Sequence, residues 1–299
     1  MAKQERSFFV DSEKNKVEGG TLYLVGTPIG NLSDISERAK KVLTEADFIA
    51  AEDTRNTAKL LSAYGIRKEL VSYHEHNKRV SGDRIISRLL SGESCALVTD
   101  AGMPAISDPG EDIVRLAATA GVTVSVIPGA CAAVSALALS ALSTSRFAFE
   151  GFLPAVAGER RRRLEAVRYE ARTMIFYEAP HKLRATLSDM KDVFGGERRI
   201  SLCRELTKLN EEIIRTTLDS ALSDLTEGSA RGEYVLVVEG ADEAGIEAPD
   251  EKRDSLISLT PEEHVAYYEG EGHARMDAIK LAAKDRGMTK SELYKLLNS

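Results

Sequence analysis

From Gly20 onward, short apolar runs and amphipathic stretches alternate five times within residues 20–143. TLYLVG, DFIAAE, ELVSYH, CALVTD and VTVSVI read as strands. SERAKKVLTEA, TRNTAKLLSAYG, DRIISRLLSG, PGEDIVRLAATAG and ACAAVSALALSAL read as helices. Ser33-Asp34 supplies a start signal for the first helix, and Gly65, Gly92 and Gly121 close the next three. Strands joined through helices run parallel, with right-handed crossovers that cover the sheet on its faces. The alternation therefore predicts an α/β domain on a mainly parallel sheet.

Residues 144–240 change character. FAFEGFL, ARTMIFYE, RRISLCRE, EIIRTTL and EYVLVVEG read as strands, and ERRRRLEAVRYE, HKLRATLSDMKDVFG and SALSDLTEG as helices. The short connection inside SLCRELTKLNEEIIRTTL predicts a hairpin, hence a second α/β domain with a mixed sheet. Residues 241–258 are acidic, carry Gly and Pro, and read as a linker. In residues 259–299 a helix through Ile279, Ala282 and Ala283 ends at Gly287; Thr289 caps a second one with Leu293, Tyr294, Leu296 and Leu297 on its apolar face. This predicts a helix-turn-helix-like tail, open to two readings: nucleic-acid contact or a docked helical hairpin. Residues 1–19 are polar, show no periodicity and no signal-peptide pattern, and read as a disordered tail.

Composition excludes several classes. The formal charge of −7 leaves no overall basic footprint, so any RNA contact must come from local patches. The densest is Arg160-Arg161-Arg162-Arg163, which spreads positive charge around a helical turn; its alternative is a solvated face. Cys95, Cys131 and Cys203 are odd in number and far apart, as expected of reduced thiols in a cytosolic protein, and no His/Cys spacing suggests a metal. The weakly polar stretch 130–142 falls short of the ~20 residues of a membrane span and reads as a buried helix.

In open parallel sheets ligands sit beyond the carboxyl ends of the strands. Three such ends carry unusual turns: Gly26-Thr27-Pro28-Ile29-Gly30-Asn31, the segment 99–110, and Pro128-Gly129-Ala130. Glycine admits close backbone approach and proline stiffens the loop, so these turns describe a rigid ligand wall. Asp108-Pro109 reads as a helix start, with Asp108 as the cap. Asp100 has no local structural task. The dinucleotide, phosphate-loop and hydrolase-elbow motifs are absent from the sequence.

The blocks LYLVGTPIGNLSDIS, AEDTR, HEHN, TDAGMPAISDPG, PGACAA, GFLP, YEAPHKL, RELTKLNEE and GEYVLVVEG stand in the order found in the tetrapyrrole methylase superfamily, which the chain resembles from about Gly20 to Gly240. AEDTR, HEHN and TDAGMPAISDPG are similar to the branch that methylates the 2′-hydroxyl of a cytidine in 16S rRNA of the small ribosomal subunit. The resemblance implies two α/β domains of tetrapyrrole methylase type, S-adenosylmethionine in the cleft between them, and a homodimer without membrane or metal. Methylation of a tetrapyrrole or related small molecule, and a ribosome-assembly role without turnover, remain as alternatives. Carried over by position, the donor pocket comprises Pro28, Ile29 and Gly30; Asp100, Gly102, Met103 and Ile106; and Ala130, Cys131 and Ala132. Phe152, Leu153, Glu233 and Tyr234 add the second domain. Met103 departs from the Thr-like residue expected there. For the acceptor, Asp53, His74 and Asp100 are candidate general bases and Arg55 a phosphate ligand, while Asp53 has a second reading as the cap of the helix that starts at Thr54.

Overall fold

The computed structural model describes residues 16–107, 110–225, 230–242 and 251–297. β1 (Thr21–Val25), α1 (Glu37–Glu45), β2 (Phe48–Ala51), α2 (Thr54–Ala63), β3 (Glu69–Ser72), α3 (Lys78–Leu90), β4 (Cys95–Val98), α4 (Glu111–Thr119), β5 (Thr123–Ile127) and α5 (Ala132–Leu139) follow the predicted alternation. Their strands form one parallel sheet in the order β3-β2-β4-β1-β5. Its pleat sorts the core into two layers. Tyr23, Val25, Ile49, Ala96 and Val98 pack against α1 and α2, whereas Leu22, Phe48, Ala50, Cys95 and Leu97 face α3 and α4. Near-continuous apolar runs are what a strand covered on both faces requires.

Local boundaries differ from expectation where side chains found other partners. Ser36 Oγ, not Ser33-Asp34, caps α1 by accepting from Ala39 N–H; Ser33 and Asp34 lie in a 3-10 turn. α3 starts at Lys78, where Asn77 closes the preceding loop through Ser72 and His74 rather than capping the helix by side chain. Gly110 occupies the cap position of α4; Asp108 and Pro109, expected to start that helix, lie outside the described residues. So does the tail up to residue 15, while Val17 packs against the first core layer and Glu18 N–H donates to the Tyr23 hydroxyl.

The next segment forms β6 (Phe147–Phe152), α6 (Ala157–Ala166), β7 (Thr173–Glu178), α7 (Pro180–Phe194), β8 (Arg199–Arg204), β9 (Glu212–Thr217), α8 (Leu218–Asp224) and β10 (Tyr234–Val238). The sheet order is β6-β7-β10-β8-β9; β6 and β7 are parallel and the remaining pairs antiparallel, including the predicted β8-β9 hairpin. Alternation along β10 divides two layers: Tyr234, Leu236 and Val238 pack under α6, α7 and α8, and Val235 and Val237 under α5. The apolar stretch 130–142 thus yields a helix that starts at the first sheet and covers a face of the second.

Arg160 corrects the reading of the arginine run as a phosphate-facing turn. It is buried, its guanidinium donates to Asp189 and to the Ala155 carbonyl, and it lies one turn before buried Leu164. Arg161 pairs with Asp189 and Asp192, and Arg163 with Glu150. Among the described residues Arg162 is the exposed member of the run without an ion pair.

The chain divides by contact density at Gly240, and the unit beyond it is helical. The linker reading is corrected in part: residues 243–250 lie outside the described residues, but α9 (Glu251–Ser258) is a helix. α10 (Pro261–Gly270) precedes the expected pair, α11 (Arg275–Asp285) and α12 (Lys290–Leu296), and capping boxes at Thr260 and Thr289 fix two of the starts. Leu293 is buried in this unit, whereas Tyr294 and Leu296 are half exposed. His264 is fully buried, stacks on Tyr268, accepts from Arg286 Nε at 3.0 Å and contacts Asp285 at 3.2 Å. Burial lowers its pKa, and this outweighs the opposing pull of Asp285. The unfolded chain therefore binds the proton first as pH falls through about 6.5, and stability declines from there toward the lower folded value. Hydrogen exchange of α10 and α11 amides in the full chain should accelerate as pH falls below about 6.5, after correction for intrinsic rates, and His264→Gln should flatten that dependence.

Candidate active site

Sheet order explains why the three turns meet. β4, β1 and β5 are neighbours, so the segments after their carboxyl ends lie side by side with the first turn in the middle. Thr27 N–H donates to the Gly102 carbonyl (2.9 Å) and Gly102 N–H to the Thr27 carbonyl (3.1 Å), a bridge between first and second turns. Gly102 has φ +84°, a region open to glycine at little cost. On the other side Gly26 and Gly129 cross backbone against backbone. A Cβ on Gly26 would lie 2.7 Å from Gly129 Cα, and one on Gly129 would lie 2.8 Å from the Gly26 carbonyl oxygen.

The second sheet supplies the facing wall. Glu178 at the end of β7 and Arg204 at the end of β8 both pair in register with Tyr234 at the start of β10, so three strands terminate together. Between this edge and the three turns lies a cavity of about 520 Å³. Ile29, Asp100, Gly102, Met103, Ile106 and Cys131 line it from the first sheet, with Ala132 at the start of α5. Phe152, Tyr177, Glu178, His181, Lys208 and Glu233, with Tyr234, line it from the second. Met103 fills the position where a Thr-like residue was expected, with its sulfur against Gly26, so the turn is packed rather than hydrogen-bonded there.

Several backbone features hold the walls together. Ala105 (φ +68°) and Ser107 (φ +63°) flank Ile106 in left-handed conformations, at a cost of about 1–3 kcal/mol each. The strand irregularity between Phe149 and Gly151 brings Gly151 against Ser107, where an added Cβ would be 3.3 Å from its Oγ. Glu205 (φ +51°) and Thr207 (φ +66°) shape the loop after β8, whose Lys208 side chain presses on Gly30. Lys208 Nζ donates to Glu205 (2.8 Å) and Glu233 (2.9 Å). The Tyr177 hydroxyl accepts from Ala133 N–H at 3.2 Å, and Phe152 meets the Tyr177 ring edge-on at 5.4 Å, leaving Phe152 59% exposed.

Four residues expected in the pocket are absent from the cavity lining. Pro28 is buried within the first turn, and Gly30 meets the Leu206–Lys208 loop. The Ala130 carbonyl faces Gly102, and Leu153 belongs to the core under α6 and α7. The candidate bases sort by strand order. Asp100 follows β4 and lines the cavity, accepting from Asn56 Nδ2 at 3.0 Å. Asp53 follows β2, one strand further out, and His74 follows β3 at the sheet edge; neither lines the cavity. Asp53 caps α2 and is clasped by the Arg55 guanidinium and backbone N–H, which hold its carboxyl down at about 2, so it stays ionised and is a poor proton acceptor at neutral pH. His74 Nδ1 is buried without a hydrogen-bond partner among the described residues. Arg55 is paired with Asp53 but 83% exposed beside Asn56, so the outer side of its guanidinium meets solvent. Tyr177, Glu178 and His181 were not assigned from sequence, although the block YEAPHKL contains them; what brings them to the site is the register of β7 with β10.

Residues 21–222 match the family model of tetrapyrrole (corrin/porphyrin) methylases. Two curated relatives are proteins named ribosomal RNA small subunit methyltransferase I. The one from Halalkalibacterium halodurans is 49% identical, over 95% of this chain and 97% of that protein. The one from Bacillus subtilis is 46% identical, over 98% of each. Among solved structures, diphthine synthase (TM-score 0.55, 14% identity, 73% of this chain and 89% of that one) shares the fold. So does the uroporphyrin-III-C-methyltransferase of Thermus thermophilus (TM-score 0.53, 20% identity, 73% and 94%). The chain belongs to the tetrapyrrole methylases and, within them, to the family of the ribosomal RNA small subunit methyltransferase I proteins.

The cofactor of this family is S-adenosylmethionine, which supplies an electrophilic methyl group on a positively charged sulfur. The cavity fits it. Ile29, Met103, Ile106 and Phe152 offer apolar contact for an adenosine-sized body, and the Asp100 side chain in the same lining supplies polar atoms. Walls fixed in this way orient what they hold, which is how alignment contributes to methyl transfer. Gly129→Ala should abolish measurable donor binding in calorimetry and lower the melting temperature, because its Cβ meets Gly26 backbone that has no rotamer to yield. Gly158→Ala, in open space on α6, should leave donor affinity unchanged.

Proposed function

We propose that the chain transfers the methyl of S-adenosylmethionine to the 2′-hydroxyl of a cytidine in 16S rRNA of the small ribosomal subunit, in the cytoplasm and as a homodimer. The observation that carries this reading is the near-complete match to rRNA methyltransferase relatives, whose lengths the chain spans almost fully. Two features of the site support it. Phe152 offers an exposed aromatic face at the cavity, suited to an unstacked base. Arg55, next to the Asn56–Asp100 contact, offers a guanidinium to a neighbouring phosphate. Arg162 and Lys182 are further candidates for the backbone, the latter one residue beyond His181. Among the described residues, no helix is long and apolar enough to cross a membrane.

Label from S-adenosylmethionine should appear on rRNA when the protein is incubated with small subunits; label on a porphyrinogen alone would contradict the reading. Arg55→Ser should weaken subunit binding and reduce the slope of log affinity against log salt by about 1 while donor affinity holds. An unchanged salt slope would remove Arg55 from the interface.

A further inference from the structure

Methylation of a ribose hydroxyl needs a proton acceptor at the cavity, and the sequence candidates do not supply a convincing one. Asp53 lies outside the lining with its carboxyl held far below neutrality, His74 lies further out, and Asp100, in the lining, has one carboxylate oxygen taken by Asn56. Within the lining most acid–base groups are engaged. Both Glu178 oxygens accept, from Ala179 N–H (2.8 Å) and the Thr186 hydroxyl (2.5 Å). Glu205 and Glu233 share the Lys208 ammonium. Asp100 accepts from Asn56, and burial pushes the Cys203 thiol up.

His181 differs from all of these. It stands in the first turn of α7, exposed and lining the cavity, and no hydrogen bond or ion pair engages its ring among the described residues. Its backbone is fixed, because α7 starts directly from β7 and Pro180 occupies the first helical position. Glu178, three residues earlier, is buried in the same wall, and a carboxylate beside an imidazole stabilises the positive charge the ring gains on taking a proton.

We propose that His181 is the catalytic general base of the reaction, an inference that rests on the ribose-hydroxyl reading above. An unprotonated ring nitrogen takes the hydroxyl proton while the oxygen forms its bond to the methyl carbon. The carbon–sulfur bond breaks, its electron pair stays on sulfur, and the imidazolium afterwards gives the proton to water. Asp100, Glu178, Glu205, Glu233 and Lys208 line the same cavity, and Lys182 follows His181 in the helix.

The test compares wild type, His181→Ala and His181→Gln on small subunits. Turnover is followed between about pH 5.5 and 9, donor affinity by calorimetry, and the methylated atom by mass spectrometry of the digested rRNA. Both variants should lose 10²–10⁴-fold in kcat and the acid limb of the pH profile, with donor affinity and subunit KM within about two-fold and partial rescue of His181→Ala by added imidazole. If wild type methylates ribose and either variant keeps its rate and acid limb, His181 is not the base and the ribose reading stands. A rate loss matched by lost donor affinity, with the acid limb intact, would also overturn the assignment. Methyl found on the base would overturn the ribose reading and the inference together.

Discussion

Gly26 and Gly129 touch backbone to backbone at the carboxyl edge of the first sheet, a contact that permits no side chain on either residue. Without it the turns after β1 and β5 could not approach closely enough for Ile29, Cys131 and Ala132 to share one wall. The Thr27–Gly102 bridge does the same for the turns after β1 and β4. The wall is thus a backbone construction carried by adjacent parallel strands, anchored on β1 and β4, which are buried along almost their whole length. Side chains mark its boundaries: Met103 packs on Gly26, and Ile106 is held between two left-handed residues.

The second sheet depends on that first wall through α5. This helix begins at the third turn and packs Ala133, Ala136 and Leu137 on Ile175, Cys203, Val235 and Val237, so the helix that ends the donor turn also supports the sheet opposite. The Tyr177 hydroxyl accepts from Ala133 N–H at the start of α5, which ties the Phe152–Tyr177 aromatic pair to the same turn. The two walls of the cavity are consequently parts of one packed unit that runs to Gly240. Their separation is set by covalent and packing constraints.

Much of this was legible in the sequence for a definite reason. Runs such as CALVTD and EYVLVVEG are long enough and apolar enough to be strands in any context, and Gly or Pro at their ends marks the turns. Strand order was not legible. It is what separates Asp100, beside the cavity, from Asp53 and His74, which occupy equivalent strand ends one and two positions further out. The contributions of Tyr177, Glu178 and His181 depend on antiparallel register with β10, which no local pattern fixes. Arg160 illustrates a signal that was present but outweighed: its four-residue spacing from Leu164 puts it on the buried face of α6, whereas a run of four arginines reads as exposed charge.

The most direct test of the account is amide hydrogen exchange of the whole chain with and without S-adenosylmethionine. The account predicts slowed exchange in two sets of segments that are far apart in sequence: 26–31, 100–107 and 129–133 on one wall, 177–182, 205–208 and 233–235 on the other. Slowing confined to one of the two sheets, or to the separate groove lined by Lys16, Arg38, Lys41 and Ser125, would contradict it.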